Sequence, residues 1–418
     1  INMSDKIKIF TISDHPLSPS GVGTQTKYMI EGMLKTGRYQ FVCFGGAVSQ
    51  PNHDAQMTEQ WGEDWVIWPV DGYGTPDQIR ALIHQQKPDI LWFMTDPRFY
   101  GWLWQMEHEV RAHVPMIYYH VWDNYPYPQF NRSAYLSNDH VACISQLTHD
   151  IVQTVTPEVD TSYIPHAVDD EIFKPLDEDL VKVFRQEKGL NDKFVCFWNN
   201  RNARRKQSGT LIWWFKEFLD KVGHDKATLI MHTDVKDQHG QDLEAIIHEL
   251  GLVNGQVLFS KEKINAQDLA LMYNAADLTI NISDAEGFGL ATLESLSSGT
   301  PILVTMTGGL QDQITDGENW FGIGIEPSSK VVIGSQQVPY IHEDRINKEE
   351  FLDALTKLYQ MTPAERRAMG AQGREWTQKK FNFEDFATSW DNLFTQTYEN
   401  KGSWQEREGY TPYEVRIL

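Results

Sequence analysis

Short apolar runs alternate with helical stretches along the whole chain, and the alternation breaks off and restarts once. In the first half, strands are expected at Ile7–Ile12, Phe41–Phe44, Trp65–Trp68, Ile90–Met94, Pro115–His120 and Val141–Ser145. Helices are expected between them, at about Thr24–Leu34, Pro76–Gln86 and Gln146–Val155. The polar stretch from Asp169 to Gly189 interrupts the pattern and reads as an interdomain connection. A second series then opens with Phe194–Trp198, followed by strands at Ala227–Met231, Val257–Ser260, Leu278–Ile282 and Pro301–Val304. Helices at Ser208–Val222, Leu243–Leu250 and Ala266–Tyr273 separate them, and helical segments from Lys348, Pro363 and Phe383 close the chain. Strands alternating with helices imply βαβ units and mainly parallel sheets. At 418 residues the chain is long enough for two domains. The expected fold class is therefore α/β, with two doubly wound halves. Ligands in such sheets bind outside the carboxyl ends of the strands.

The net charge of −21 excludes broad non-specific binding to nucleic acid and docking on anionic lipid through a basic face. No apolar run approaches the ~20 residues of a membrane span. Ser4-Asp5-Lys6 leads directly into a strand, so no signal peptide is expected. Cys43, Cys143 and Cys196 are too few and too scattered for a disulfide framework or a zinc site. A soluble protein of a reducing, cytoplasmic compartment is expected.

The most informative motif follows the strand Leu278–Ile282. Glu286 and Glu294 flank Gly287-Phe288-Gly289-Leu290, where a helix opens. A helix N-terminus with free backbone N–H groups attracts phosphate oxygens. Carboxylates accept paired hydrogen bonds from sugar hydroxyls. Together they suit a nucleotide sugar. The exit of the strand Phe194–Trp198 carries Arg201, Arg204, Arg205 and Lys206. These four bases are either a solvated face or a clamp for diphosphate, and the neighbouring carboxylate loop favours the clamp. Thr305-Met306-Thr307-Gly308-Gly309 is either a simple turn or a loop where backbone approaches a ligand.

The chain resembles the retaining glycosyltransferases of family 4, which have the two-domain GT-B fold. Glu286 and Glu294 match the family's Glu-x7-Glu signature, and Arg201 and Lys206 its Arg-x4-Lys. Pro165-His166-Ala167-Val168-Asp169 with Phe173-Lys174-Pro175 resembles its interdomain signature, departing from it at His166 and Ala167. Gly21-Val22-Gly23 stands where the family has a glycine loop. The resemblance implies two Rossmann-like domains facing each other across a cleft. An acceptor-binding domain would span residues 1–175 and a donor-binding domain 176–382. A C-terminal helix and tail, 383–418, would return to the first domain. Transfer of a hexose-type sugar from UDP or GDP to a glycan, glycoprotein or small-molecule hydroxyl is implied, by front-face displacement. Arg201 and Lys206 would bind the diphosphate and Glu294 the ribose. Glu286 would sit near the donor sugar, with Gly287, Phe288, Gly289 and Leu290 around it and Gly21 and Gly23 near the phosphates or acceptor. His120 would lie near the transferred sugar, where its alternative is a purely structural role. No metal and no further cofactor is implied beyond the nucleotide-sugar co-substrate. Asp177-Glu178-Asp179 has the spacing of a metal-binding triplet but reads as a solvated charge run.

The first half is rich in aromatic residues, including Trp61, Trp65, Trp68, Trp92, Trp102, Trp104 and Trp122. Trp122, Asp123, Tyr125 and Tyr127 form a candidate acceptor surface, since aromatic faces stack on sugar rings; core packing is the alternative, and the preferred one for Trp92. Rival functions are a glycoside phosphorylase, a nucleotide-sugar epimerase and a catalytically dead glycan-binding protein. A dinucleotide-binding dehydrogenase is disfavoured, because Gly21-Val22-Gly23 lacks the third glycine. Alanine at Glu294 or Lys206 is expected to abolish transfer and leave the fold intact. The sequence specifies no oligomeric state.

Overall fold

The computed structural model describes residues 6–49, 52–122 and 124–411. The chain divides into two compact units. One comprises the chain up to Trp122, Tyr127–Ala167 and everything from Phe383 on; the other comprises Val168–Asn382 with the short segment before Tyr127.

The first unit is built on an eight-stranded sheet in the order β3-β4-β2-β1-β5-β6-β7-β8. Its strands are β1 (Ile7–Asp14), β2 (Tyr39–Gly46), β3 (Gln56–Met57), β4 (Trp65–Pro69), β5 (Ile90–Thr95), β6 (Met116–His120), β7 (His140–Cys143) and β8 (Asp160–Tyr163). All pair in parallel except the edge strand β3, which runs antiparallel to β4. Parallel strands covered by helices on both faces are near-continuous apolar runs. Accordingly Ile9, Phe10, Ile12, Phe41, Ile90, Trp92, Phe93 and Ile117 have no exposed surface.

The C-terminal helix Phe383–Lys401 packs on this unit. Trp390, fully buried, meets the rings of Trp92 and Tyr119, and the Tyr39 hydroxyl donates to Asp391 Oδ1 at 2.6 Å. Much of the aromatic richness of the first half is thus core: Trp65 and Trp92 are buried, and Trp104 packs against Phe93 and Tyr118. Gly21-Val22-Gly23 is not a loop. Ser20 caps a helix over Gly21–Leu34, so both glycines lie in its first turn. A Cβ at Gly23 would stand 2.5 Å from the His15 carbonyl oxygen and from Ser18 Oγ, which accounts for that glycine by packing.

The second unit has a six-stranded, wholly parallel sheet in the order β11-β10-β9-β12-β13-β14. Its strands are β9 (Phe194–Asn199), β10 (Ala227–His232), β11 (Val257–Ser260), β12 (Leu278–Asn281), β13 (Ile302–Thr305) and β14 (Gly322–Ile325). A two-stranded antiparallel hairpin, β15 (Ser329–Ile333) and β16 (Ile341–Arg345), follows β14. The polar stretch after Asp169 contains a helix, Glu178–Glu187, which packs on the helix Ala266–Ala275 of this unit. Asp177 caps it, accepting from the Asp179 and Leu180 N–H groups at 2.9 and 3.4 Å. Helix capping explains the acidic triplet.

The strand order reverses between β9 and β12, which are neighbours in space although two strands intervene in the chain. The loops leaving them in opposite directions open a crevice at their carboxyl ends. These are the loops 200–206 and 282–289.

Candidate donor site

Asn202 organises the loop after β9. It is fully buried; its side chain donates to the carbonyls of Asp234 (3.0 Å) and Gln241 (2.7 Å) and accepts from Ser208 Oγ at 2.8 Å. A tight 3₁₀ turn, Arg204–Lys206, then turns the Lys206 side chain inward. Lys206 is 8% exposed, and its Nζ contacts Glu286 Oε2 at 2.5 Å. The same oxygen accepts from Asn281 Nδ2 (3.1 Å) and Ser283 Oγ (3.3 Å), and Arg205 Nη1 lies 3.9 Å from Oε1. Desolvation pushes the Glu286 carboxyl up most, but Lys206, Arg205 and the hydrogen bonds outweigh it and hold it down to about 2. Glu286 is therefore a carboxylate throughout the neutral range and cannot act there as a general acid.

Glu294 is its opposite. Its carboxylate receives the Tyr273 hydroxyl at 3.0 Å, and Tyr273 in turn accepts from Asn199 Nδ2 at 3.0 Å. Desolvation dominates and pushes the Glu294 carboxyl up to about 7. The two carboxylates of one motif are thus set apart by environment: Glu286 faces cations, Glu294 a phenol.

The loop between them is over-determined. Gly289 has φ +88° and opens the helix Leu290–Ser297. Gln313 Nε2 donates to the carbonyls of Phe288 (2.7 Å) and Gly289 (2.9 Å). The Phe288 ring is buried against Phe381, so only the backbone of that residue can serve a ligand. The loop after β13 closes down on the same segment. Gly309 N donates to the Glu286 carbonyl at 3.1 Å, and a Cβ on Gly308 (φ +51°) would lie 1.7 Å from that carbonyl oxygen. The glycines at 308 and 309 thus permit contact between two protein backbones, where the sequence left a simple turn and approach to a ligand both open. Gly308→Ala should cost about 1–3 kcal/mol through strain, read as a lower denaturation midpoint; a wild-type midpoint would contradict this packing.

Arg201 is not drawn to Glu286. Its side chain is 60% exposed and pairs with Asp237, Nε to Oδ2 at 3.0 Å. Such exposed pairs are worth about 0–1 kcal/mol, so a diphosphate can displace Asp237 at little cost.

Of the residues expected elsewhere, His120 is fully buried in the first unit. Its ring nitrogens meet the hydroxyls of Tyr118 (3.2 Å) and Tyr135 (2.8 Å), and burial drives its pKa down to about 3. It is a neutral core histidine in this structure. Trp122 is buried too, between His120 and Phe130, and so offers no open aromatic face. Tyr127 is exposed, Tyr125 is partly so, and Asp123 lies outside the described residues. His166 packs on Tyr119 within the first unit, and both backbone polar groups of Ala167 are taken by the Gln25 side chain. The three cysteines are buried thiols. Among the described residues no helix is long and apolar enough to cross a membrane, and no group of three or more His, Cys, Asp or Glu residues is gathered where it could hold a metal ion.

A parallel sheet with two strand-exit loops meeting at its switch point, and a second α/β unit in the same chain, define the GT-B architecture. Sucrose-phosphate synthase from Thermosynechococcus elongatus has the same fold, with a TM-score of 0.74 over 94% of this chain and 100% of that one at 18% identity. HepE of Anabaena, solved in complex with UDP and glucose, gives 0.68 over 93% and 100% at 16% identity. Residues 182–376 match the family described as Glycosyl transferases group 1. The mannosylfructose-phosphate synthase of Agrobacterium fabrum is 30% identical over 185 residues, 43% of this chain and 40% of that protein. The D-inositol 3-phosphate glycosyltransferase of Corynebacterium jeikeium is 26% identical over 218 residues, 48% and 51% respectively. The matched region thus spans about two fifths to one half of these curated relatives.

Proposed function

We propose that this protein moves a hexose-type sugar from a UDP- or GDP-sugar to a hydroxyl acceptor with retention of configuration. The observation that carries the reading is the juxtaposition of Lys206 and Glu286 at the crevice between β9 and β12, with the raised carboxyl of Glu294 on the helix that follows. The carboxylate of Glu294 would accept the two ribose hydroxyls. Arg201 and Lys206 would face the diphosphate and stabilise its charge as it leaves. Glu286, an ionised carboxylate already engaged by Lys206, would hold a sugar hydroxyl and orient the ammonium. A front-face displacement suits this site: Glu286 is salt-bridged and hydrogen-bonded, so it is a poor nucleophile. The departing diphosphate oxygen would take the acceptor proton as the new glycosidic bond forms. Small-molecule acceptors are supported by relatives named as synthases of phosphorylated disaccharides.

A thermal-shift screen of UDP-, GDP- and ADP-sugars, the free nucleotides and inorganic phosphate tests this. A nucleotide sugar present at 100 times its Kd should stabilise the protein by about 2.7 kcal/mol. Stabilisation by phosphate without any nucleotide would favour a phosphorylase instead.

A further inference from the structure

The hairpin β15–β16 is an insertion that the βα alternation does not require. Glu343 and Arg345 stand two residues apart on β16 and therefore on one face. Glu343 is 2% exposed and receives both arms of Arg204, each at 2.9 Å. Arg345 pairs with Asp284 and lies 3.5 Å from Glu343. Asp284, also buried, accepts from Gln207 Nε2 at 2.8 Å and has Arg204 Nη1 at 4.0 Å. Its backbone is fixed on both sides: the N–H donates to the Arg205 carbonyl and the carbonyl accepts from the Asp344 N–H, both at 2.8 Å. The same strand anchors the segment before Tyr127, since Asn124 Nδ2 donates to the His342 carbonyl at 2.8 Å and the His342 N–H to the Tyr125 carbonyl.

Two arginines and two carboxylates thus lock the hairpin to the exit loops of both β9 and β12. Buried carboxylates paired with part-exposed arginines add little stability, but they specify geometry. Arg204 belongs to the four-base loop, yet its guanidinium is spoken for by Glu343. Asp284 stands two residues before Glu286 and fixes where that carboxylate begins. We propose that Glu343 and Arg345 are positioning residues for the transfer reaction. Through Arg204 they anchor the exit loop of β9 and through Asp284 they set the Asp284–Glu286 turn, so that Arg201 and Lys206 are the bases presented to the donor. The proposal rests on the donor reading above.

The test is a double-mutant cycle on Glu343→Gln and Arg204→Ala, read as donor KM, kcat and, by calorimetry, nucleoside-diphosphate Kd. Each single variant should raise donor KM and Kd about tenfold, a change of about 1.4 kcal/mol, with kcat lowered less than about threefold. The double variant should lose no more than a single one, because the two residues act through one contact. Glu343→Asp should recover part of the loss. Arg204 is mostly exposed, so Arg204→Ala folds even where the buried Glu343 does not tolerate change. Unchanged donor KM and Kd in the single variants, or additive losses in the double one, overturn the positioning role. A wild-type protein that binds neither UDP nor GDP defeats the donor reading, and this proposal with it.

Discussion

Lys206→Ala should abolish transfer and also remove about 3–5 kcal/mol of stability, the cost of leaving one member of a buried ion pair without its partner. The sequence suggested a variant that loses activity and keeps its fold. The structure adds a cost in stability to that expectation: Lys206 is buried and its ammonium is the nearest cation to a Glu286 carboxylate that is itself 7% exposed. Removing both charges, as in Lys206→Met with Glu286→Gln, should recover most of the stability and none of the turnover. Urea denaturation beside a nucleoside-diphosphate release assay separates the two losses. A Lys206→Ala protein as stable as wild type would show that the pair is not buried as described. The pH dependence has a defined sign. The folded pKa of Glu286 lies below its ordinary value of 4.5. Its contribution is therefore present above pH 4.5 and lost as pH falls through 4.5 toward 2.

Glu294→Gln should weaken nucleotide binding by one to two orders of magnitude, about 1.4–2.8 kcal/mol, and remove a pH dependence near neutrality. Hydroxyl groups donating to the carboxylate favour its ionised form. With a free-protein pKa of about 7, donor binding should tighten as pH rises through 7 and should release protons at that pH. Calorimetry in buffers of different ionisation enthalpy measures the release directly. Proton uptake by the wild type, or a Glu294→Gln variant with the same proton release, would contradict the ribose role. The stability consequence runs opposite to that of Glu286. A folded pKa raised above the unfolded value makes stability fall as pH rises from about 4.5 to 7. The Gln variant should lose that slope.

The parallel sheets were legible because strands buried on both faces are continuous apolar runs: Phe194–Trp198 and Ile90–Met94 are recovered almost residue for residue as β9 and β5. Segments with mixed patterns were not. Gln56–Met57 is too short and half-exposed to carry a signal, and Ser329–Ile333 exposes most of its residues. The glycines at 21 and 23 suggested a loop through the family resemblance, but the Ser20 cap and the crowding at Gly23 place them in a first helical turn. At the site, Glu286, Glu294, Arg201 and Lys206 were singled out by their place at strand exits and by the resemblance to family 4. Their environments were not legible, since Tyr273 comes from the helix Ala266–Ala275 and Asp237 from the loop after β10. Glu343 lies more than fifty residues beyond Glu286 in a hairpin with no periodic signature, so its grip on Arg204 had no trace in the sequence. His120 ended as a core residue because β6 is buried along its whole length, and Trp122, just beyond the strand, is buried against His120 and Phe130.

The central claim is that the switch-point loops of the second unit hold a nucleotide sugar. A crystal structure with the nucleoside diphosphate that stabilises the protein most is its most direct test. The account predicts both ribose hydroxyls on the Glu294 carboxylate, with Lys206 and a released Arg201 on the diphosphate. A nucleotide bound away from β9 and β12, or one whose ribose leaves Glu294 untouched, would contradict it.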